Sequence, residues 1–196
     1  EKKKRRRRTP LARAEWIKFV AAFFDADALA DSIFNDVVVR YDSLCAYVST
    51  LSLPHPRILS GNNFRGTWYL PSGVTYMGQL FADAGADYFY ASDTTNGSLP
   101  LSIETVLSNF AHADVWVGAP ARTLNELGNQ DHKHTLFKAY QTGRVYNFLA
   151  RTTADGGNDY WETGVVRPDL ILQDLVKILY PTMSDSIDFT FAEPLR

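Results

Sequence analysis

Gly61-Asn62-Asn63-Phe64-Arg65-Gly66-Thr67-Trp68-Tyr69-Leu70-Pro71-Ser72-Gly73 lies between a short apolar run, Arg57-Ile58-Leu59, and a helix-like segment, Thr75 to Ala84. Its three glycines let the backbone turn sharply and approach a ligand closely. Between them stand Phe64, Arg65, Trp68 and Tyr69. A loop beyond the carboxyl end of a strand is where open α/β sheets place ligands. Aromatic faces beside a fixed cation suit a large planar or anionic ligand rather than a single metal ion. A competing reading keeps the stretch as a surface loop with one aromatic folded into the core, because Trp and Tyr bury readily.

Upstream of this stretch the pattern is helical. Thr9 followed by Pro10 reads as an N-cap with Pro at the first helical position. Leu11, Ala14, Ile17, Val20, Ala21 and Phe24 then recur at helical spacing. Asp25-Ala26-Asp27 interrupts the series, and a second helix runs to about position 50 with Ala28, Leu29, Ile33, Val37, Tyr41, Leu44, Cys45 and Val48 as its apolar positions. Two long helices ahead of any strand have the character of a connector. Pro54 and Pro56 close it.

Downstream, strand and helix alternate. Arg57–Ser60, Asp87–Ala91, Val115–Val117 and Val145–Phe148 read as strands. Ser102–Ala111, one or two segments within Leu124–Tyr140, and Val166–Leu179 read as helices, with Gly85 and Gly143 as stops. The expected fold is α/β: a parallel-rich sheet lobe with helices on both faces, preceded by a long connecting helix. The chain divides into a basic tail (1–9), a helical connector (10–51) and an α/β ligand-binding lobe (52–196).

Composition bounds the function. The 196 residues are 45% hydrophobic, enough for a packed core. No apolar run approaches the roughly 18 residues of a membrane span. Cys45 is the only cysteine, so no internal disulfide can form. The net charge of −2 hides an unbroken basic run, Lys2 to Arg8; without those seven residues, 13 Lys and Arg face 22 Asp and Glu, a net of −9. An acidic body argues against nucleic-acid binding. The run reads as a solvated tail, with a localisation signal or nucleic-acid arm as its alternative.

A second glycine-aromatic stretch, Ala154-Asp155-Gly156-Gly157-Asn158-Asp159-Tyr160-Trp161-Glu162, also follows a strand and precedes a helix. Both stretches therefore belong to one sheet edge. Asn158 and Asp159 offer hydrogen-bonding groups, and Tyr160 and Trp161 offer stacking area. The alternative is a Gly-Gly turn with Trp161 packed beneath the last helix. Glu104 stands in the first turn of a helix capped by Ser102, where it complements the helix dipole. Asp131-His132-Lys133-His134 hints at metal binding but lacks a third ligand and reads better as a charged helix start. No G-x-S-x-G elbow, Walker loop or H-E-x-x-H is present.

Taken in order, these pieces resemble the C-terminal half of the substrate-binding proteins of ABC importers for iron-siderophores, haem and cobalamin. The resemblance covers roughly residues 10 to 182. It rests on Gly66-Thr67-Trp68-Tyr69, Ala82-Asp83-Ala84-Gly85-Ala86, Leu101-Ser102-Ile103-Glu104, Gly143-Arg144-Val145-Tyr146, and Arg167-Pro168-Asp169-Leu170 ending at Tyr180-Pro181. It implies two α/β lobes joined by a long helix, with the ligand between them. Asp25–Leu51 then corresponds to the connecting helix and Pro10–Phe24 to the end of the first lobe. The rest of that lobe, with any export signal or lipid anchor, would lie outside this chain. The implied role is capture of a metal chelate and delivery to a permease, at the periplasmic or cell-surface side, without enzymatic activity and without a cofactor beyond the ligand. Arg65, Trp68, Tyr69, Asn158, Asp159, Tyr160 and Trp161 would contact the ligand. Glu104, in its Ser-x-Glu context, matches the glutamate that docks on permease arginines. Asp159-Tyr160-Trp161-Glu162 is similar to the motif of cobalamin binders, except that Thr163 stands where they carry arginine. The rival is an intracellular flavodoxin-like enzyme or nucleotide-binding domain, which a phosphate-cradling glycine loop opening a helix would favour.

Overall fold

The structure, a computed structural model, describes residues 10–183 and 188–196. The basic run and the expected cap at Thr9 lie outside the described residues. Three helices come first: α1 (Pro10–Ala14), α2 (Trp16–Ala21) and α3 (Asp27–Thr50). Asp25, at φ +51°, makes the reversal between α2 and α3. The 24 residues of α3 span about 36 Å at the usual helical rise. Ala30, Val37, Tyr41 and Val48 form its buried stripe, and α3 packs along the closing helix α9, Pro168–Leu179. Pro168 opens α9 at a position where a missing N–H costs nothing. Among the described residues, no helix is long and apolar enough to cross a membrane.

The main sheet contains β1 (Ile58–Ser60), β5 (Val115–Val117), β6 (Val145–Asn147) and β7 (Glu193–Pro194), in the order β1-β5-β6-β7. β1, β5 and β6 are mutually parallel, as expected. Ile58, Leu59, Val115, Trp116, Val117 and Val145 are fully buried. Burial on both faces accounts for the short, continuous apolar runs. The helices α4 (Tyr76–Asp83), α5 (Ile103–Phe110), α6 (Leu124–Gln130), α7 (Lys138–Gln141) and α8 (Asp159–Val166) alternate with the strands. Thr75 and Ser102 cap α4 and α5 through their hydroxyls.

Three sequence expectations are corrected, and one strand was not foreseen. The stretch around Trp68 is a hairpin, not a loop: β2 (Asn63–Phe64) and β3 (Thr67–Pro71) pair antiparallel, and β4 (Ser98–Leu101) adds a third strand. Arg65 and Gly66 both have positive φ, +53° and +87°, as a two-residue turn between right-twisted strands demands. Asp87–Ala91 is not a strand. Only Asp87 bridges to Arg57, and the chain then turns so that Tyr88 can bury its ring and donate to the Pro71 carbonyl. Asp159–Glu162 is the opening of a helix, not a loop, and Arg167 separates that helix from α9. The C-terminal segment returns as β7, antiparallel to β6. Its anchor is Asp174, whose carboxylate accepts the backbone N–H groups of Thr190, Phe191 and Ala192 at 2.7–2.9 Å.

Candidate ligand-binding site

A cavity of about 340 Å³ opens between α1, the start of α4, the start of β4 and α8. α8 follows β6 through the glycine turn at 156–157, and α4 follows β3, so elements beyond strand ends supply its walls. Asn158 sets the direction of α8: its Oδ1 accepts the Tyr160 N–H at 3.0 Å and its Nδ2 donates to the Phe148 carbonyl at 3.0 Å. Consecutive helical residues point about 100° apart, and this separates Tyr160 from Trp161. Tyr160 is 7% exposed, stacked on Phe148 with ring centroids 4.5 Å apart, and its hydroxyl donates to Met77 Sδ at 3.3 Å. Trp161 is 70% exposed at the cavity mouth.

Opposite these rings, Tyr76 donates its hydroxyl to the Gly164 carbonyl at 3.1 Å, which ties α4 to α8. The Arg13 guanidinium lies over the Tyr76 ring, 4.4 Å from its centroid. Burial pushes both phenols, Tyr76 and Tyr160, above their ordinary range, and Arg13 pulls each partly back. Gly78 must be glycine for α4 to start here, since a Cβ would lie 2.1 Å from the Ser72 carbonyl oxygen.

Of the seven expected contact residues, Tyr160 and Trp161 line this cavity. Trp68 does not: it is fully buried, among Trp116, His134 and Phe137, with Nε1 donating to the Ser60 carbonyl at 2.8 Å. Strand alternation in β3 turns Trp68 and Leu70 inward and Tyr69 outward. The expectation that Trp68 stacks on a ligand is therefore overturned. Tyr69 is half exposed and Arg65 sits at the hairpin tip beside the Phe64 ring, both away from the cavity lining. The Asn158 amide is occupied by backbone. Asp159 pairs with Arg151 at 3.2 Å and accepts the Thr163 hydroxyl. Arg13, Tyr76, Met77 and Ser98 also line the cavity, and sequence reasoning did not select them.

Glu104 is exposed in the first turn of α5 and accepts a 2.6 Å hydrogen bond from Lys133 Nζ. That bond, with help from its own backbone N–H and Ser102, lowers its carboxyl to about 2. Asp131 caps the short 3-10 turn His132–Leu136, and His134 is buried with Nδ1 2.8 Å from the Leu127 carbonyl oxygen. Among the described residues no group of three His, Cys, Asp or Glu side chains could hold a metal ion.

Two other cavities have different chemistry. One, about 540 Å³, lies between α1 and α3 and faces the carboxylates of Glu15, Asp42 and Asp83. Its Cys45 thiol is pushed up to about 11, chiefly by burial, so little thiolate is present at neutral pH. The other, about 380 Å³, is formed by Arg57, Asp87, Phe89 and the end of α5.

Residues 5–152 match the family model of the periplasmic binding proteins. The chain belongs to the periplasmic binding protein family. This family is a class of solute-binding proteins. Two uncharacterized lipoproteins of Methanocaldococcus jannaschii are 29% and 27% identical to this chain over 88% and 89% of its length. The chain spans only 40% and 44% of those relatives. Among solved structures, the TroA-like periplasmic binding protein FepB of Veillonella parvula superimposes with a TM-score of 0.66 at 18% identity, over 92% of this chain and 60% of that one. CeuE of Helicobacter pylori gives 0.67 at 14% identity, over 92% and 54%. IsdE of S. aureus, solved with heme, gives 0.57 at 17% identity, over 85% and 63%. These likenesses establish the TroA-like fold.

Proposed function

We propose that this chain is the second lobe of the substrate-binding component of an ABC importer. The complete protein captures a metal chelate (a ferric siderophore, haem or cobalamin) and delivers it to a membrane permease. The observation that carries this reading is an exposed tryptophan at the mouth of an aromatic-walled cavity, in a chain of a solute-binding family. A rigid indole left in water beside such walls offers stacking area for a large planar ligand. The names of the relatives support it: one solved neighbour holds heme, and the curated relatives are named as lipoproteins, in keeping with a proposed position at the periplasmic side or cell surface.

The connector supports the two-lobe reading. Trp16, Phe19, Val20, Phe23 and Phe24 are each more than half exposed along and just beyond α2. Trp16 packs edge-on against Phe19, and Phe19 against Phe23. A contiguous apolar face of this kind is covered in a working protein, and the first lobe is its partner in this proposal.

Trp161→Ala tests the cavity assignment. Its indole is largely in water, so removal should shift the melting temperature little while weakening binding of ferric chelates or haem by about two- to twelvefold, since a stacked ring contributes ~0.5–1.5 kcal/mol. Unchanged affinity across a panel of ferric chelates, haem and cobalamin would show that the ligand does not stack there. Glu104 is the proposed permease contact, and it must exchange Lys133 for a permease arginine. In the complete protein, Glu104→Arg should cut uptake several-fold or more while leaving chelate affinity within twofold, because the reversed charge repels the permease and the cavity is untouched. Equal losses of affinity and uptake would remove Glu104 from the docking role.

A further inference from the structure

We infer that the hairpin tip, Phe64 and Arg65, is a second contact on the face that Glu104 presents to the permease, and that it meets a permease surface carrying a carboxylate. The inference rests on the proposed permease partnership and is independent of the ligand cavity. Three observations carry it.

The first is placement. β3 runs away from the tip and β4 runs back towards it, ending with Leu101 opposite Trp68. α5 opens directly after β4, so the tip and Glu104 share one end of the small sheet. A run of polar contacts joins them. Asn63 Oδ1 accepts the Gly66 N–H at 2.9 Å, and Asn63 Nδ2 lies 3.5 Å from Asp131 Oδ2. The other carboxylate oxygen of Asp131 accepts the Lys133 N–H at 2.9 Å, and Lys133 Nζ donates to Glu104.

The second is a backbone cost. Arg65 holds φ +53° at the first position of the two-residue turn. Asn and Gly suit that left-handed position, and a long side chain does not. Among the described residues Arg65 makes no ion pair that would offset the cost. A residue that works against its own turn has its reason outside the fold.

The third is surface chemistry. Phe64 is more than half exposed, Arg65 is exposed, and the guanidinium carbon lies 5.2 Å from the Phe64 ring centroid. Neither residue lines any of the three cavities described above. Arginine and exposed aromatics are the residue types that concentrate in protein interfaces. Lys133 is matched by Glu104, whereas Arg65 is not matched. The face therefore suits a permease surface that offers an arginine to Glu104 and a carboxylate to Arg65.

The test is docking of the complete protein, without added ligand, to the permease of its importer in lipid nanodiscs, set beside thermal melting of the 196-residue chain. Arg65→Asn should raise the melting temperature by about 2 °C or more, because asparagine suits the turn, and should weaken docking about fivefold. Phe64→Ser should weaken docking severalfold as well. High salt should shrink the Arg65 difference, since a contact between exposed charges is screened. Glu104→Arg in the same assay separates the inference from the reading it rests on. Weaker docking in Glu104→Arg, with docking unaltered in Arg65→Asn and Phe64→Ser, would overturn the hairpin contact and leave the Glu104 role standing. The reverse pattern would uphold the hairpin contact and remove Glu104. A lower melting temperature in Arg65→Asn would make Arg65 a structural residue and overturn the inference, as would failure of the unmutated protein to dock.

Discussion

Trp68→Ala is expected to lower the stability of this protein by about 3–5 kcal/mol, the range for deleting a large buried aromatic. The ring is fully buried and sits with Trp116, Phe137 and His134 at centroid distances of 5.3–5.8 Å. Truncation leaves a void that β3 cannot close, because its register with β2 and β4 is fixed on both sides. It also removes the donor that the Ser60 carbonyl accepts at the end of β1. For a chain of this size the melting temperature should fall by on the order of 10 °C. Trp68→Phe keeps most of the packing and loses the hydrogen bond, so its loss should be distinctly smaller. Urea unfolding of the three proteins measures this. A Trp68→Ala protein of unchanged stability that fails to bind chelates would return Trp68 to the ligand site.

Asp174→Ala should cost about 3 kcal/mol, because it leaves three buried or half-buried backbone N–H groups without their charged acceptor. The effect should be local before it is global. Thr190, Phe191 and Ala192 are held by this one carboxylate, and they lead into β7, which covers the free edge of β6. Hydrogen exchange should therefore accelerate first in residues 189–195, with α9 itself following only near global unfolding. Asp174→Asn keeps one acceptor oxygen and should fall between the two. Uniform protection across the C-terminal segment in Asp174→Ala would show that packing of Phe191 alone holds it.

What the sequence revealed and what it concealed follow from locality. The later part of the α3 stripe (Val37, Tyr41, Val48), the Ser102 cap of α5 and the three parallel strands are encoded within a few residues of themselves and were readable, whereas Leu29 and Ile33, expected on the same stripe, are exposed. The hairpin around Arg65-Gly66 was encoded just as locally, by Trp68 and Leu70 alternating with Tyr69. The glycines on either side suggested a loop and masked that period of two. Asp87–Ala91 has the aromatic composition of a strand, but packing of Tyr88 and Tyr90 near Phe110 bends it. β7 is two residues long, and its position depends on Asp174, in a helix that precedes it by some twenty positions. Tyr160 and Trp161, singled out in sequence as an aromatic pair beside a Gly-Gly turn, both line the candidate cavity, but only Trp161 is exposed there. Arg13 was not singled out: it meets Tyr76 only because α1 packs against α4 and α8, a contact without a local signature.

The most direct test of the ligand-site assignment is where a chelate touches the chain. Amide and indole N–H resonances of the isotopically labelled protein can be followed while gallium tris-catecholate, a diamagnetic counterpart of the ferric complex, is added. The account predicts that shifts concentrate on the Trp161 indole, the first turns of α8, Tyr76 and Ser98. Shifts confined to the groove of Arg57, Phe89 and His112, or to the acidic cavity between α1 and α3, would contradict it.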